Sequence, residues 1–479
     1  MPTVIAIDPV TRLEGHLKVE VTIDGPNKTI VDAKATGTLF RGFENLLVNR
    51  DPWDAPHITQ RICGVCPIPH GMAAVQALEQ AAGKTVPANG RILRNLVLGA
   101  NFVQSHLLHF YHLALLDFVV GPAMSPWNPG WDVDRRIAKA DNDQLFNNYK
   151  LALTMTRKGH EMGAVFGGRM PHSPAFIPGG FTATPTSSQI NQFRAYGQEL
   201  LAFINTVYLK DVEYLAGVYP DYASLGRGHG NLMAFGVFDL DAAGKSKLLR
   251  PGIVHDGSKT VENLDIAAIN EQVTHSWYDA STDNLPPATG ITKPVYPKTD
   301  GYSWLKAPRY NGQPFEAGPL ARMWINGDYT TGISIMDRHR ARALETQKIA
   351  LAMQEWLKQI VVGGAVYSDY TTPANAKGVG LTEAPRGALG HWVSISKGKI
   401  ANYQVITPTC WNGSPRDKSH QLGPIEEALI GMNVSNADQP IEVLRLIHSY
   451  DPCLSCAVHV IKPSAVSRVK VIDMAGILA

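Results

Sequence analysis

Cysteine is scarce in this chain, with five among 479 residues. Four of the five sit in two short clusters, so no disulfide framework is expected. A surplus of charge is lacking too. Lys and Arg number 44 against 42 Asp and Glu, leaving a net charge of +2. No run of like charges appears, and without a clustered basic surface nucleic acid is not an expected partner. No apolar stretch approaches the ~20 residues that span a bilayer. The opening Met1-Pro-Thr-Val-Ile-Ala-Ile-Asp8 has neither a basic nor a long apolar region. A signal peptide is therefore not expected, and read alone this points to the cytoplasm. Repeats and low-complexity segments are also missing. What remains is a globular chain long enough to bury a large core.

The clusters are Arg61-Ile-Cys63-Gly-Val-Cys66-Pro-Ile-Pro-His70 and Asp451-Pro-Cys453-Leu-Ser-Cys456-Ala-Val-His459. Each is a C-x-x-C trailed by histidine. One such turn suits a redox pair as well as a metal. Two together point to a four-thiolate metal site, for a soft ion such as zinc, copper, nickel or iron. Structural zinc usually gathers its ligands within one small unit, whereas here most of the chain intervenes. A non-catalytic subunit with a structural four-cysteine zinc site is the alternative. Iron–sulfur clusters generally take four cysteines each, and only Cys410 is left over. If the site exchanges electrons, the clusters must lie in another chain. Cys410 itself reads as a small buried residue, with a place near the metal as the minor alternative.

Alternating apolar residues over 4–40, broken by Asp24-Gly25-Pro26-Asn27, predict an antiparallel hairpin. Three- and four-residue spacing predicts helices over 71–82, 89–120, 141–163, 187–217 and 336–360. Residues 220–330 read as an irregular α+β insertion. A second hairpin is expected over 393–408, a helix from Pro424 to Gly431, and another over 441–447. The fold class is α+β, mostly α, with one core, a central long-helix bundle and small peripheral antiparallel sheets. His106, His109 and His112 recur on one helix, and packed, hydrogen-bonded histidines are expected there rather than a metal stripe.

The two cysteine motifs resemble the R-x-C-G-x-C-x-x-x-H and D-P-C-x-x-C-x-x-H signatures of nickel-iron hydrogenase large subunits, and the resemblance runs along nearly the whole chain. It implies a catalytic subunit that cleaves H2 reversibly and heterolytically, passing electrons to an iron–sulfur small subunit in an obligate heterodimer. It also implies a helical bundle holding the metal site at its centre. Cys63 and Cys453 would be terminal nickel ligands, and Cys66 and Cys456 would bridge nickel to an iron carrying carbon monoxide and cyanide. Cys453 would be the first base and Glu14, in Thr11-Arg-Leu-Glu-Gly-His16, the proton relay. Arg386, in Glu383-Ala-Pro-Arg-Gly387, would lie over the open side of the metals, offering fixed donors. Pro408 and Thr409 would line the iron's diatomic ligands, Asp451 would sit beside Arg386, and His70 would donate to a bridging sulfur. Val65 and Leu113 would narrow the gas path. A second site for Mg2+ or Fe2+ would use Glu44, the Val405 carbonyl and His459. The hydrogenase-like quinone-binding subunits of respiratory complexes are a third reading, disfavoured because those have usually lost these cysteines.

Ser105, the Phe166-Gly-Gly-Arg-Met-Pro-His172 stretch and Ser449-Tyr-Asp-Pro-Cys453 resemble the nickel-iron-selenium branch, where position 453 is selenocysteine. Here it is cysteine, either in a sulfur-containing relative or as a recoded residue written Cys. That branch implies the periplasm, reached by export with a small subunit bearing a twin-arginine signal. Residues 1–459 would be the mature domain. Residues 460–479 would be clipped by a C-terminal endopeptidase after nickel insertion, the alternative being a retained strand around Val469-Lys-Val-Ile472.

Overall fold

The computed structural model describes residues 2–125, 127 and 130–457. Helix predominates, with small antiparallel sheets around it. Four long helices, Ala88–Leu108, Lys139–Gly167, Ser187–Phe203 and Ile335–Leu357, pack on one another as a bundle. Their apolar faces merge in the main core. Local sequence explains the boundaries. Thr186 opens one of these helices with a reciprocal capping box to Gln189, and Ser334 opens another, its hydroxyl accepting from the Asp337 amide.

The helix expected over 89–120 changes character before its end. It is α-helical to Leu108, widens to a π-helical turn over His109–Ala114, and tightens to a 3-10 turn over Leu115–Asp117. The histidines of this segment are packed. His109 Nε2 lies 2.6 Å from the His448 carbonyl, and His112 meets the Tyr149 ring edge-on. Among the described residues no helix is long and apolar enough to cross a membrane.

Both hairpins are larger than the alternation predicted. The first, Leu17–Asp24 with Thr29–Gly37, gains the strand Thr3–Ile7 on its outer edge. The second, Gly387–Ser396 with Lys399–Ile406, gains Asn375–Ala384. That added strand carries Gly378 and Gly380, which weaken a strand signal in sequence. In the fold they let the helix Pro67–Ala82 lie directly against the sheet. A Cβ on Gly380 would stand 1.9 Å from the Ala73 carbonyl oxygen, and one on Gly378 2.0 Å from that of Ala77.

Between this helix and this sheet lies a smaller apolar cluster distinct from the main core. It includes Phe43, Leu47, Leu78, Leu389, Tyr403 and Val405, and it encloses Cys63, Cys66 and Cys453. The cysteines therefore sit beside the bundle, reached by its Ala88–Leu108 helix, rather than on the bundle axis. The 220–330 region is irregular as expected, with short strands and 3-10 turns, but it ends in a true helix, Pro319–Asn326, that the sequence reading missed.

Candidate metal centre

The first cysteine turn runs from a 3-10 turn, Gln60–Ile62, into the helix Pro67–Ala82, with Pro67 at its first position. This is where proline is tolerated, because the missing amide would be unpaired anyway. The turn points the amides of Val65 and Cys66 at Cys63 Sγ, at 3.3 and 3.2 Å. Amides at a helix start suit an anionic sulfur. Asn101 of the bundle donates to the Val65 carbonyl at 3.1 Å and ties the turn to the long helix.

The second turn follows the helix Ile441–Tyr450, which ends at Asp451 in the left-handed region (φ 55). Cys453 N donates to Thr409 Oγ1 at 2.9 Å, and Leu454 N to the Glu14 carbonyl at 2.6 Å. Glu14 and Cys453 thus pair like residues of adjacent strands. Gly15, at φ +85, makes this approach possible, since a Cβ there would stand 2.3 Å from Ser455 N. Arg41 joins the two motifs, its guanidinium donating to the carbonyls of both Ile62 and Ser455.

The result is a sulfur site. Cys63 Sγ lies 3.3 Å from Cys453 Sγ, and the ligand atoms of Cys63, Cys66 and Cys453 all lie within 4.8 Å of one another. Each is 1% exposed. Cys456 belongs to the short helix Leu454–Ala457, but its side chain, like the whole of His459 and 460–479, lies outside the described residues. Three converging buried thiols fit a thiophilic cation, as the sequence requires.

Arg386 occupies the tip of the hairpin between Asn375–Ala384 and Gly387–Ser396. Its guanidinium is buried, with Nη2 3.0 Å from Asp451 Oδ1 and Nη1 3.5 Å from Ser105 Oγ. Burial alone would lower its pKa; Asp451 and then the cysteines reverse that and hold it well above the usual arginine value. Burial raises the Asp451 carboxyl, against the opposing pull of Arg386 and Arg342. His70 is fully buried and pushed down to about 4 by that burial, so it is neutral. Its Nδ1 lies 3.1 Å from His391 Nε2, and His391 Nδ1 lies 2.8 Å from the Tyr403 hydroxyl. His70 Nε2 has no hydrogen-bond partner among the described residues. Pro408 and Thr409 open the buried helix Pro408–Asn412, and Glu14 is half-buried.

Cys410, on that helix, is buried with its sulfur 3.3 Å from Thr407 Oγ1, and burial pushes its thiol up to about 11. It is not one of the grouped ligands among the described residues. Val65 and Leu113 are both half-buried.

A second polar pocket flanks the strand Lys399–Ile406. Glu44 Oε1 accepts from the Val405 amide at 2.9 Å, and its other oxygen from the Thr292 hydroxyl. Lys306 Nζ donates to Glu271 Oε2 at 3.0 Å and to Gln404 Oε1 at 3.1 Å. The donor set is oxygen-rich and buried, which fits a hard cation. Thr292, Gln404, Lys306 and Glu271 were not singled out by sequence, nor was Arg41. They carry no motif, and their roles depend on contacts between segments far apart in the chain.

A family model described as nickel-dependent hydrogenase matches residues 41–129, 122–332 and 325–459. The chain belongs to the nickel-dependent hydrogenase family. A further model, described as HoxL-like, matches residues 4–34. The chain is 45% identical to the periplasmic NiFeSe hydrogenase large subunit of Desulfomicrobium baculatum, over 95% of both chains. It is 35% identical to the uptake hydrogenase large subunit of Rhizobium leguminosarum bv. viciae, over 98% of this chain and 97% of that one. The solved Ni-Fe-Se hydrogenase of D. vulgaris Hildenborough superposes with a TM-score of 0.93 at 42% identity, covering 96% of this chain and 100% of that one. This hydrogenase family member therefore shares sequence and fold with these relatives over at least 95% of its length.

Proposed function

We propose that this chain is the catalytic large subunit of a nickel-iron hydrogenase, cleaving H2 to two protons and two electrons and passing the electrons to an iron–sulfur small subunit. The observation that carries the reading is the convergence of three buried thiols from opposite chain ends beneath a buried guanidinium. Cys63, Cys66, Cys453 and Cys456 would hold nickel, with Cys66 and Cys456 shared with iron. Pro408, Thr409 and Arg386 would receive the iron's carbon monoxide and cyanide. When bound, this centre supplies the two-electron chemistry of hydrogen.

The chain's own residues do the rest. The Cys453 sulfur takes the proton released on heterolysis. Glu14, held beside it through the Leu454 amide, accepts that proton and moves it outward, a task for a half-buried carboxyl. Arg386 presents fixed, charged donors that do not reorganise during reaction. Asp451 and Ser105 orient it, and His70, kept neutral, has Nε2 to offer a bridging sulfur. Glu44, the Val405 carbonyl and His459 would hold Mg2+ or Fe2+ in the neighbouring oxygen pocket.

Maturation and location complete the proposal. Residues 460–479 are removed after His459 by an endopeptidase, and the folded subunit reaches the periplasm with its small subunit. Intact mass of the isolated subunit tests two points at once: loss of the tail, and sulfur or selenium at position 453. For the function, the test is metal analysis with infrared spectroscopy on the heterodimer. Nickel, iron and bands from carbon monoxide and cyanide are expected. Zinc in their place, with no such bands, overturns the reading in favour of a structural site.

A further inference from the structure

The segment 316–322 touches three elements that carry residues of the sulfur site: the helix before Asp451, the helix that begins at Pro408, and the Arg386 hairpin. The Glu316 carboxylate pairs with Arg338 at 2.7 Å and accepts from the hydroxyl of Tyr450, the neighbour of Asp451, at 3.2 Å. Ala317 exchanges two hydrogen bonds with the Asn412 side chain, at 2.9 and 2.8 Å, on the helix that begins with Pro408 and Thr409. Gly318 lies against the Arg386 carbonyl, 3.3 Å from where its Cβ would be, and Gly387 against Ala317.

One turn into the following helix, Arg322 is fully buried and uses all five of its N–H groups. Nε and Nη2 donate to Glu345 at 2.6 and 2.9 Å, and Nη1 to Glu383 at 2.7 Å. The remaining two go to the Ala384 carbonyl at 3.0 Å and the Pro385 carbonyl at 2.8 Å. Those carbonyls belong to the residues immediately before Arg386. By contrast, the Arg386 side chain is lightly held. It has one ion pair and one long hydrogen bond, and its Nε has no hydrogen-bond partner among the described residues. With only these two side-chain anchors, its aim depends also on the backbone that presents it.

We propose that Arg322 is a positioning residue for the hydrogen reaction: it clamps the two carbonyls preceding Arg386 so that this guanidinium is aimed at the cysteine sulfurs. The proposal rests on the function proposed above. Glu345 and Glu383 fix the clamp, and only a planar guanidinium can serve two carboxylates and two carbonyls together. A lysine offers three donors from a single point and releases at least one carbonyl.

The test is a double-mutant cycle on the nickel-loaded heterodimer with R322K, R386K and the double variant. Arg322→Lys should keep its nickel and lower kcat about ten-fold, with KM for H2 within about two-fold of the parent. The double variant should be no slower than R386K alone, because Arg322 acts through Arg386. The infrared bands of R322K should move in the direction of those of R386K. A wild-type rate in R322K, or losses that multiply in the double variant, overturns the proposal. If R322K yields no loaded heterodimer, E383Q, which weakens the same clamp, is carried through the same cycle with the same outcomes. A crystal structure of R322K gives an answer independent of turnover. The Arg386–Asp451 separation, 3.0 Å in the parent, should widen, and an unchanged separation counts against the clamp. A parent protein without nickel or hydrogen activity sinks the functional reading instead, and leaves that structural measurement standing.

Discussion

The sulfur pocket and the oxygen pocket beside the strand Lys399–Ile406 are both buried and both assembled from distant stretches of chain, yet they are held in opposite ways. In the oxygen pocket the protein supplies its own cation: Lys306 sits between Glu271 and Gln404, and Glu44 is saturated by the Val405 amide and Thr292. Burial would lower the Lys306 ammonium, but Glu271 and Glu44 reverse this and hold it up at about 12. In the sulfur pocket the Arg386 guanidinium stands above, while Cys63 and Cys453 face each other at 3.3 Å. Two anionic sulfurs at that spacing repel unless a metal lies between them. A pocket that sets an ammonium of its own against two carboxylates is partly neutralised without an added ion; one built from converging thiols needs it.

The strongest way to test this contrast is to remove a sulfur. Cys63→Ser should bring both nickel content and hydrogen uptake to background, read by metal analysis and amperometry. Nickel retained at the parent level would break the contrast. Next in size, Glu14→Gln should cut turnover with electrons by about 10²–10⁴-fold, the range for a lost proton-transfer group. Nickel and the infrared bands should stay unchanged, and normal turnover removes the relay assignment.

A smaller effect is expected where both pockets share a support. Gly380→Ala places a Cβ against the Ala73 carbonyl and should cost about 1–3 kcal/mol, seen as a lower denaturation midpoint. Acid should act on the bundle, whose helices carry His106 and His339. Burial depresses His106 to about 4 and His339 to about 3, from 6.5. Their stabilising contribution is therefore complete above pH 6.5 and is lost as pH falls toward these values. Glu383, raised by burial to about 7, contributes with the opposite sign: fully below pH 4.5, and lost as pH rises through 7. Melting temperature should fall between pH 6.5 and 4, less steeply in His106→Gln. The least effect is expected at the oxygen pocket: Thr292→Val takes one donor from Glu44 and should cost about 1 kcal/mol, with hydrogen turnover within about two-fold of the parent.

How much of this was legible in the chain follows the same division. The C-x-x-C turns declare themselves because both ligands of each lie within one local turn. Arg386 was visible only through the family resemblance of its Glu383-Ala-Pro-Arg-Gly387 stretch; that it forms a hairpin tip, with Gly387 at φ +137, came from the fold. The strand Asn375–Ala384 was missed because its glycines serve a helix that passes over it, not the strand itself. The helix Pro319–Asn326 was missed because it is short and follows irregular chain. Arg322 fell within the stretch read as irregular and carried no signal; its burial among Glu345, Glu383 and two carbonyls is a property of three segments at once.

Taken alone, the sequence determined the ligand chemistry, the long helices and the likeness to a metal-dependent redox family, because thiol spacing and apolar periodicity are local quantities. Only the tertiary structure decided that the sulfurs lie in a separate apolar cluster beside the bundle, that Arg41 ties the two chain ends together, and that a guanidinium clamp stands behind Arg386. Those features arise from burial and hydrogen bonds between segments tens to hundreds of residues apart, and no local pattern encodes which distant carbonyl a buried donor will meet.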